Sequence, residues 1–328
     1  MSRHTNRRTF IQYSSQAAVA GCMVWHCPSN SAQGNAMPES TNSAEPTVAD
    51  SKGWIDAHVH VWMPDVKKYP IDKSFKLSDM QPPSFTAAEL LAHCKPLGVD
   101  RIVLIQMSFY ALDHGYMFDC MREHPGVFSA VALIDHKSDQ VVVNAKDLVR
   151  RGARGFRIHS QGDADQWPNS PTMKLLWKTA ADDGFSVCAL INPQDIQHVD
   201  QLCQQFPKTR VVVDHFARIG VSGAIEENRL EELCKLARHP NVYLKTSAFY
   251  ALGKKQAPYH DLKPMIRKVL SAYGAERLMW ATDCPYQVQG DHTYKASLDL
   301  ILQDNEVLSQ QEKQHLLRNT AHKVFFTA

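Results

Sequence analysis

His58-Val59-His60 sits inside the run Trp54-Ile-Asp-Ala-His-Val-His-Val-Trp62, whose β-branched and aromatic residues predict a strand. Alternate side chains of a strand share a face, so the two imidazoles project together about 6–7 Å apart. Neutral ring nitrogens so placed can grip one divalent metal ion. Two histidines on one strand also arise by chance, and the pair gains meaning only if the chain supplies further ligands and a base. Candidates follow other short apolar runs: Gln106, Arg157 and His159, His215 (after Asp214), Lys245, and Asp283 in Ala281-Thr-Asp-Cys-Pro-Tyr286. A metal held by His58 and His60 would lower the pKa of bound water towards about 7. Asp283 could bind that metal with one oxygen and take the water's proton with the other, as general base. His215 is a further ligand or a group that polarises a substrate carbonyl. The planar fork of Arg157 suits a carboxylate or an oxyanion. Lys245 does the same as a point charge, or else pairs with an acid inside the fold. His159 and Gln106 complete the substrate-binding candidates.

The elements that must position these residues alternate strand and helix. Strands are predicted over Trp54–Val61, Arg101–Met107, Phe128–Ile134, Arg154–Ile158, Phe185–Ile191, Arg210–Asp214, Val242–Thr246 and Arg277–Thr282. Helical patterns fall between them over Thr86–Leu97, Gln140–Arg151, Thr172–Asp183, Ile196–Phe206, Ile225–Ala237 and Leu262–Tyr273. Thr86-x-x-Glu89 is a capping box, and Gly98, Gly152, Gly184 and Gly274 stand where helices stop. The strands are nearly continuous apolar runs, as in a parallel sheet covered by helices. Eight such units in about 270 residues fit a single-domain α/β fold, the (β/α)8 TIM barrel. An open doubly wound sheet would carry a Gly-rich phosphate loop after its first strand, which is absent. In a barrel the polar strand ends converge on one mouth, so the scattered candidates become one site.

The 328 residues carry a net charge of +2, which gives no basic platform for nucleic acid, and no apolar run approaches the roughly 20 residues of a transmembrane helix. The expected partner is a small-molecule substrate; oligomeric state is not legible. The chain divides into an export leader (1–27), a disordered linker rich in Ser, Asn, Ala and Pro (28–52), and the barrel (53–328). Asn6-Arg-Arg-Thr-Phe-Ile11 before a short apolar core resembles a twin-arginine signal, which places the protein in the periplasm or cell envelope. Val19-Ala-Gly-Cys22 resembles a lipoprotein box, with Cys22 as a candidate lipid anchor. Of eight cysteines, six are scattered through predicted elements without a Cys-x-x-Cys pair, so they read as small buried hydrophobes and not as a zinc ribbon. His93, His114, His124, His198, His239 and His315 lie away from strand ends and read as solvated.

Taken in order, several of these segments resemble the amidohydrolase superfamily. They are Ile55-Asp-Ala-His-Val-His-Val-Trp62, Gly155-Phe-Arg-Ile158, Val212-Val-Asp-His-Phe216, Asn241-Val-Tyr-Leu-Lys-Thr-Ser247, Arg277–Tyr286 and the closing Asn319–Phe325. More narrowly, the set is similar to the amidohydrolase-related branch that holds L-fuconolactonase-type sugar lactonases and dicarboxylate lactonases. The resemblance covers residues ~53 to 326. It implies His58, His60 and Asp283 as ligands of one divalent ion, zinc by preference, Asp283 as proton acceptor, and His215 near the reacting carbonyl. Many members place a further metal-binding His at the end of strand five, where this chain has Asn192. That departure resembles lactonases of the branch and is compatible with a weakly held or dispensable ion. The implied activity is metal-assisted hydrolysis of a small cyclic ester, a sugar lactone above all. A decarboxylase on the same barrel and a non-catalytic exported solute-binding barrel are the alternatives.

Overall fold

The computed structural model describes residues 53–327. The segments read as an export leader, a lipoprotein box at Cys22 and a linker lie outside the described residues. Eight strands, β1 (Trp54–Val59), β2 (Val99–Ile105), β3 (Phe128–Leu133), β4 (Ala153–His159), β5 (Ser186–Leu190), β6 (Arg210–Val213), β7 (Val242–Ser247) and β8 (Leu278–Ala281), pair in chain order in one sheet. All seven pairings are parallel. The ring draws together where His60 N–H donates to the Cys284 carbonyl (2.8 Å) and Asp283 N–H to the His58 carbonyl (2.9 Å). This is the expected (β/α) barrel, and the two segments that join it are those carrying the histidine pair and Asp283.

Between the strands run α1 (Ala87–Cys94), α2 (Gly115–Glu123), α3 (Val141–Arg150), α4 (Pro171–Asp183), α5 (Ile196–Gln205), α6 (Glu227–Lys235) and α7 (Lys263–Tyr273). The capping box forms as the sequence predicts: Glu89 N–H donates to Thr86 Oγ1 and Thr86 N–H to Glu89 Oε2. Helix α2 and a helix after β8, α8 (Tyr294–Leu302), have no counterpart among the predicted elements. Helix α2 opens on a glycine with no side-chain cap and buries only Tyr116, Met117 and Cys120, so its sequence carries little helical signal.

The core has two parts. Outward-facing strand residues pack under the helices, while inward-facing ones such as Ile55, Val103, Val131, Val212 and Met279 fill the barrel. After a short α9 (Gln310–Gln314), the last helix, α10 (Thr320–Phe325), packs Val324 and Phe325 against that inner cluster. Ser129 Oγ fixes it by donating to the Phe325 carbonyl at 2.7 Å. Asp56, fully buried, ties β1 to the end of β8 and to α8: it accepts from Thr282 N–H, Thr282 Oγ1 and Tyr294 OH. The six described cysteines are all free, and five are buried.

Candidate active site

The strand ends bring the predicted chemistry together. His58 is on β1 and His60 is just past it; both are buried, with their Nε2 atoms 3.3 Å apart. The Ile105 carbonyl at the end of β2 accepts from His60 Nδ1 at 2.9 Å. A carbonyl only accepts, so the proton of neutral His60 lies on Nδ1 and its Nε2 lone pair faces His58. On the other side of the His58 ring, Nδ1 lies 3.1 Å from Lys245 Nζ and 3.5 Å from Asp214 Oδ1.

Asp283 follows β8 with φ 67°, a left-handed backbone that a non-glycine residue adopts at a cost of order 1–3 kcal/mol. That twist aims its carboxylate at the histidines. Oδ1 lies 3.5 Å from His58 Nε2, 3.3 Å from His60 Nε2 and 3.8 Å from His215 Nε2. Oδ2 accepts from Tyr250 OH at 2.7 Å. Burial alone would push this carboxyl up, but the three surrounding imidazoles, His215 first, then His60 and His58, outweigh it and hold the group well below the usual carboxylate range.

His215 is turned into the site by a more extended strain. Residues His215, Phe216, Ala217 and Arg218 have φ of 53°, 51°, 51° and 64°, a left-handed turn built without glycine. Ser247 Oγ at the end of β7 sits 2.8 Å from His215 Nδ1, leaving Nε2 buried and without a hydrogen-bond partner. Burial pushes the His215 pKa down to about 4. Ligand atoms of His58, His215 and Asp283 all lie within 4.8 Å of one another. These three, one of them the orphaned His215 Nε2, could hold one metal ion, and His60 Nε2 lies 3.3 Å from the same carboxylate oxygen.

Beneath this cluster lies a group of charges that the sequence reading only partly anticipates. Asp214, fully buried, is 3.0 Å from Lys245 Nζ through Oδ1 and 3.6 Å from Arg157 Nε through Oδ2. Burial would raise its pKa, but Lys245, His58 and Arg157 hold it well below the carboxylate range. Lys245 is fully buried and touches the site through His58. Arg157 Nε has no hydrogen-bond partner. Gln106 spends its amide on the Ala111 and Asp113 carbonyls and so braces the loop after β2. His159 ends β4 half-buried. Asn192, in the strand-five position, accepts from Arg218 at 3.0 Å, so that place is taken by a guanidinium. Burial and then the Arg157 charge lower Arg218 to about 10.

Asp214, Tyr250 and Arg218 are the participants that sequence reasoning missed. Asp214 stood in plain view beside His215, whereas nothing in the spacing of Phe249–Tyr250 signals a contact with Asp283. Two readings are corrected: His239 is not solvated but lies 2.8 Å from Asp200 Oδ1 through Nε2 with its side chain 13% exposed, and His114 is 4% exposed, its Nε2 donating to the Leu133 carbonyl at 3.0 Å. His114 immediately precedes α2, the helix absent from the predicted elements, so its burial was not legible.

A barrel whose mouth carries such a cluster defines a class of enzyme. Residues 55–327 match the Amidohydrolase family, and the chain belongs to it. L-fucono-1,5-lactonase of Burkholderia ambifaria is 28% identical over 251 residues, which is 73% of this chain and 82% of that protein. The 2-pyrone-4,6-dicarboxylate hydrolase of Comamonas testosteroni is 27% identical over 76% of this chain and 83% of its own length. Among solved structures, a putative 2-pyrone-4,6-dicarboxylic acid hydrolase from Pseudomonas putida superposes with a TM-score of 0.70 at 22% identity, covering 83% of this chain and 97% of that one, which establishes the shared fold.

Proposed function

We propose that the protein hydrolyses a small lactone, with Asp283 as general base and one divalent ion, zinc by preference, at His58, His60 and Asp283. His215 completes the set as a further ligand or as the group that polarises the carbonyl. The observation that carries this reading is the convergence of three imidazole nitrogens on Asp283 Oδ1 while Tyr250 pins Oδ2. An ion bound there supplies Lewis acidity at the carbonyl and eases ionisation of water. Asp283, held in its ionised form, takes the water's proton as the nucleophile attacks and returns it to the leaving alkoxide of the opened ring. Arg157, whose Nε makes no hydrogen bond, and Arg218 give the mouth positive charge suited to an anionic lactone. His159 is the remaining substrate-facing candidate, while Gln106 serves by shaping the loop.

Both named relatives act on lactones, and this supports the choice of substrate class. Elemental analysis of the purified protein, run beside a pH-indicator screen over sugar and dicarboxylate lactones, tests metal and reaction together. Acid release with one equivalent of zinc is expected. Release of carbon dioxide from a carboxylic acid, with no lactone opened, would replace this reading by a decarboxylase. The twin-arginine-like Asn6–Ile11 segment further supports export to the periplasm or envelope, with Cys22 as a lipid anchor. Retention of a fused reporter in the cytoplasm would overturn the address, and a signal peptide cleaved elsewhere than before Cys22 would overturn the anchor.

A further inference from the structure

A single hydrogen-bonded file runs through the histidine pair. The Lys245 ammonium has only donors, and it stands 3.1 Å from His58 Nδ1. At the other end the Ile105 carbonyl has only lone pairs, and it holds His60 Nδ1 at 2.9 Å. His60 Nε2 is therefore an acceptor, and the 3.3 Å contact between the two Nε2 atoms requires the proton on His58 Nε2. Both ends of the file dictate the same arrangement: Lys245 donates to His58, His58 to His60, and His60 to Ile105. In it, His58 Nε2 carries a hydrogen and cannot ligate a metal.

The alternative partner is also in place. Asp214 Oδ1 lies 3.5 Å from His58 Nδ1 and accepts only, so a hydrogen on Nδ1 would be received there. With the proton on Nδ1, the Nε2 lone pair faces His60 and Asp283 and is free to bind. Ligating histidines ordinarily donate their second ring N–H to a carboxylate in this way. Asp214 and Lys245 are 3.0 Å apart and both fully buried, so solvent does not screen their competition for one nitrogen. The Phe325 ring, 5.6 Å from Lys245 Nζ, backs the lysine from α10.

We propose that Lys245 and Asp214 form a tautomer selector for His58: Lys245 holds it in the non-ligating form, Asp214 in the ligating form, and their balance sets how tightly the site takes a divalent ion. Binding then moves one proton from Nε2 to Nδ1 of the same ring, with no net change in the protonation of His58. This rests on the metal reading of the site but not on the lactone reading. It also gives a physical basis for a loosely held ion that is independent of Asn192 on strand five.

Two measurements on the full chain test it, and neither uses a lactone. Long-range proton–nitrogen NMR of the metal-free protein, with His58 assigned through His58→Gln, reports the tautomer directly. A hydrogen on Nε2 is expected, shifting to Nδ1 when zinc is added. A hydrogen on Nδ1 before zinc overturns the proposal. Competition for zinc against a chromophoric chelator gives affinities: Lys245→Met is expected to bind zinc at least about tenfold more tightly, and Asp214→Asn at least about tenfold more weakly. Unchanged affinity in folded Lys245→Met overturns it; should that variant not fold, the wild-type tautomer decides. An inactive protein with the expected tautomer shift would sink the lactonase reading alone, whereas an active lactonase with Nδ1–H before metal would sink the selector alone.

Discussion

Tyr250 OH donates a 2.7 Å hydrogen bond to Asp283 Oδ2, while the other carboxylate oxygen faces the histidines. The contact spans the loops after β7 and β8, and the Tyr250 ring lies 6.2 Å from Tyr286 and 6.0 Å from His292, which limits its movement. Burial and the Asp283 charge push the phenol pKa far up, so it stays a donor throughout the working pH range. A neutral donor on an ionised acceptor contributes about 1.5–3 kcal/mol. Its effect falls on the aim and basicity of Asp283 more than on substrate contact. Tyr250→Phe is therefore expected to lower kcat roughly ten- to hundredfold with little change in KM. A rise in KM with kcat preserved would assign Tyr250 to substrate binding instead.

Removing the base itself is the sharper version of the same test. Asp283→Asn keeps the shape of the side chain and an acceptor for Tyr250 but loses the proton acceptor. Activity on the best lactone is expected to fall about 10²–10⁴-fold, with the circular-dichroism spectrum unchanged. Turnover within about threefold of the parent would remove Asp283 from the role of base.

The proposal of an anionic substrate rests on Arg157, whose buried Nε makes no hydrogen bond. Arg157→Met keeps much of the stem and removes the fork. KM for a carboxylated lactone is expected to rise tenfold or more, since a charged hydrogen bond is worth about 1.5–3 kcal/mol. KM for a neutral lactone of the same ring should stay put. Equal losses on both substrates would recast Arg157 as a partner of Asp214, from which it stands 3.6 Å.

The eight strands were legible because each is a short apolar run, and inward and outward faces are both buried in a barrel. Observed strand ends fall within two residues of the predicted ones. His58, His60, His215 and Asp283 were legible for a related reason: a polar residue closing such a run is placed at the mouth by topology alone. What escaped depends on backbone that propensity does not encode. The left-handed turn from His215 to Arg218 swings a guanidinium back onto Asn192. Tyr250 reaches Asp283 only because β7 and β8 are neighbours. Lys245 was read either as a substrate group or as the partner of an acid inside the fold, and it pairs with Asp214; its burial there follows from which way β7 faces, one residue either side of which would point it under the helices.

Asp56 tests the closure of the barrel. Its Oδ2 accepts from both Thr282 Oγ1 (2.5 Å) and Tyr294 OH (2.6 Å), and Oδ1 from Thr282 N–H (3.0 Å). Asparagine would set an NH2 where two hydroxyl donors converge, leaving at least one buried group unsatisfied. Asp56→Asn is expected to cost about 2–4 kcal/mol in a chemical-denaturation measurement. A loss under about 0.5 kcal/mol would mean that the carboxylate does not secure β1 to β8.

His114 gives a pH dependence whose sign is fixed by its burial. Desolvation lowers its pKa from 6.5 to about 4, against the opposing pull of its bond to the Leu133 carbonyl. The unfolded chain therefore takes up a proton near pH 6.5 while the folded chain does not, so folding stability is full above that pH and drains as pH falls towards 4. Over that window the loss from this one residue amounts to about 3 kcal/mol at 1.36 kcal/mol per pH unit. Other buried histidines add their own losses, so the informative quantity is a difference. Glutamine keeps a donor for Leu133 and has nothing to titrate. His114→Gln should lose some stability at pH 8 and recover ground on the parent as the pH is lowered to 5. Parallel denaturation midpoints for the two proteins across that range would mean that His114 titrates alike in both states, and that the helix it precedes does not hold it away from water.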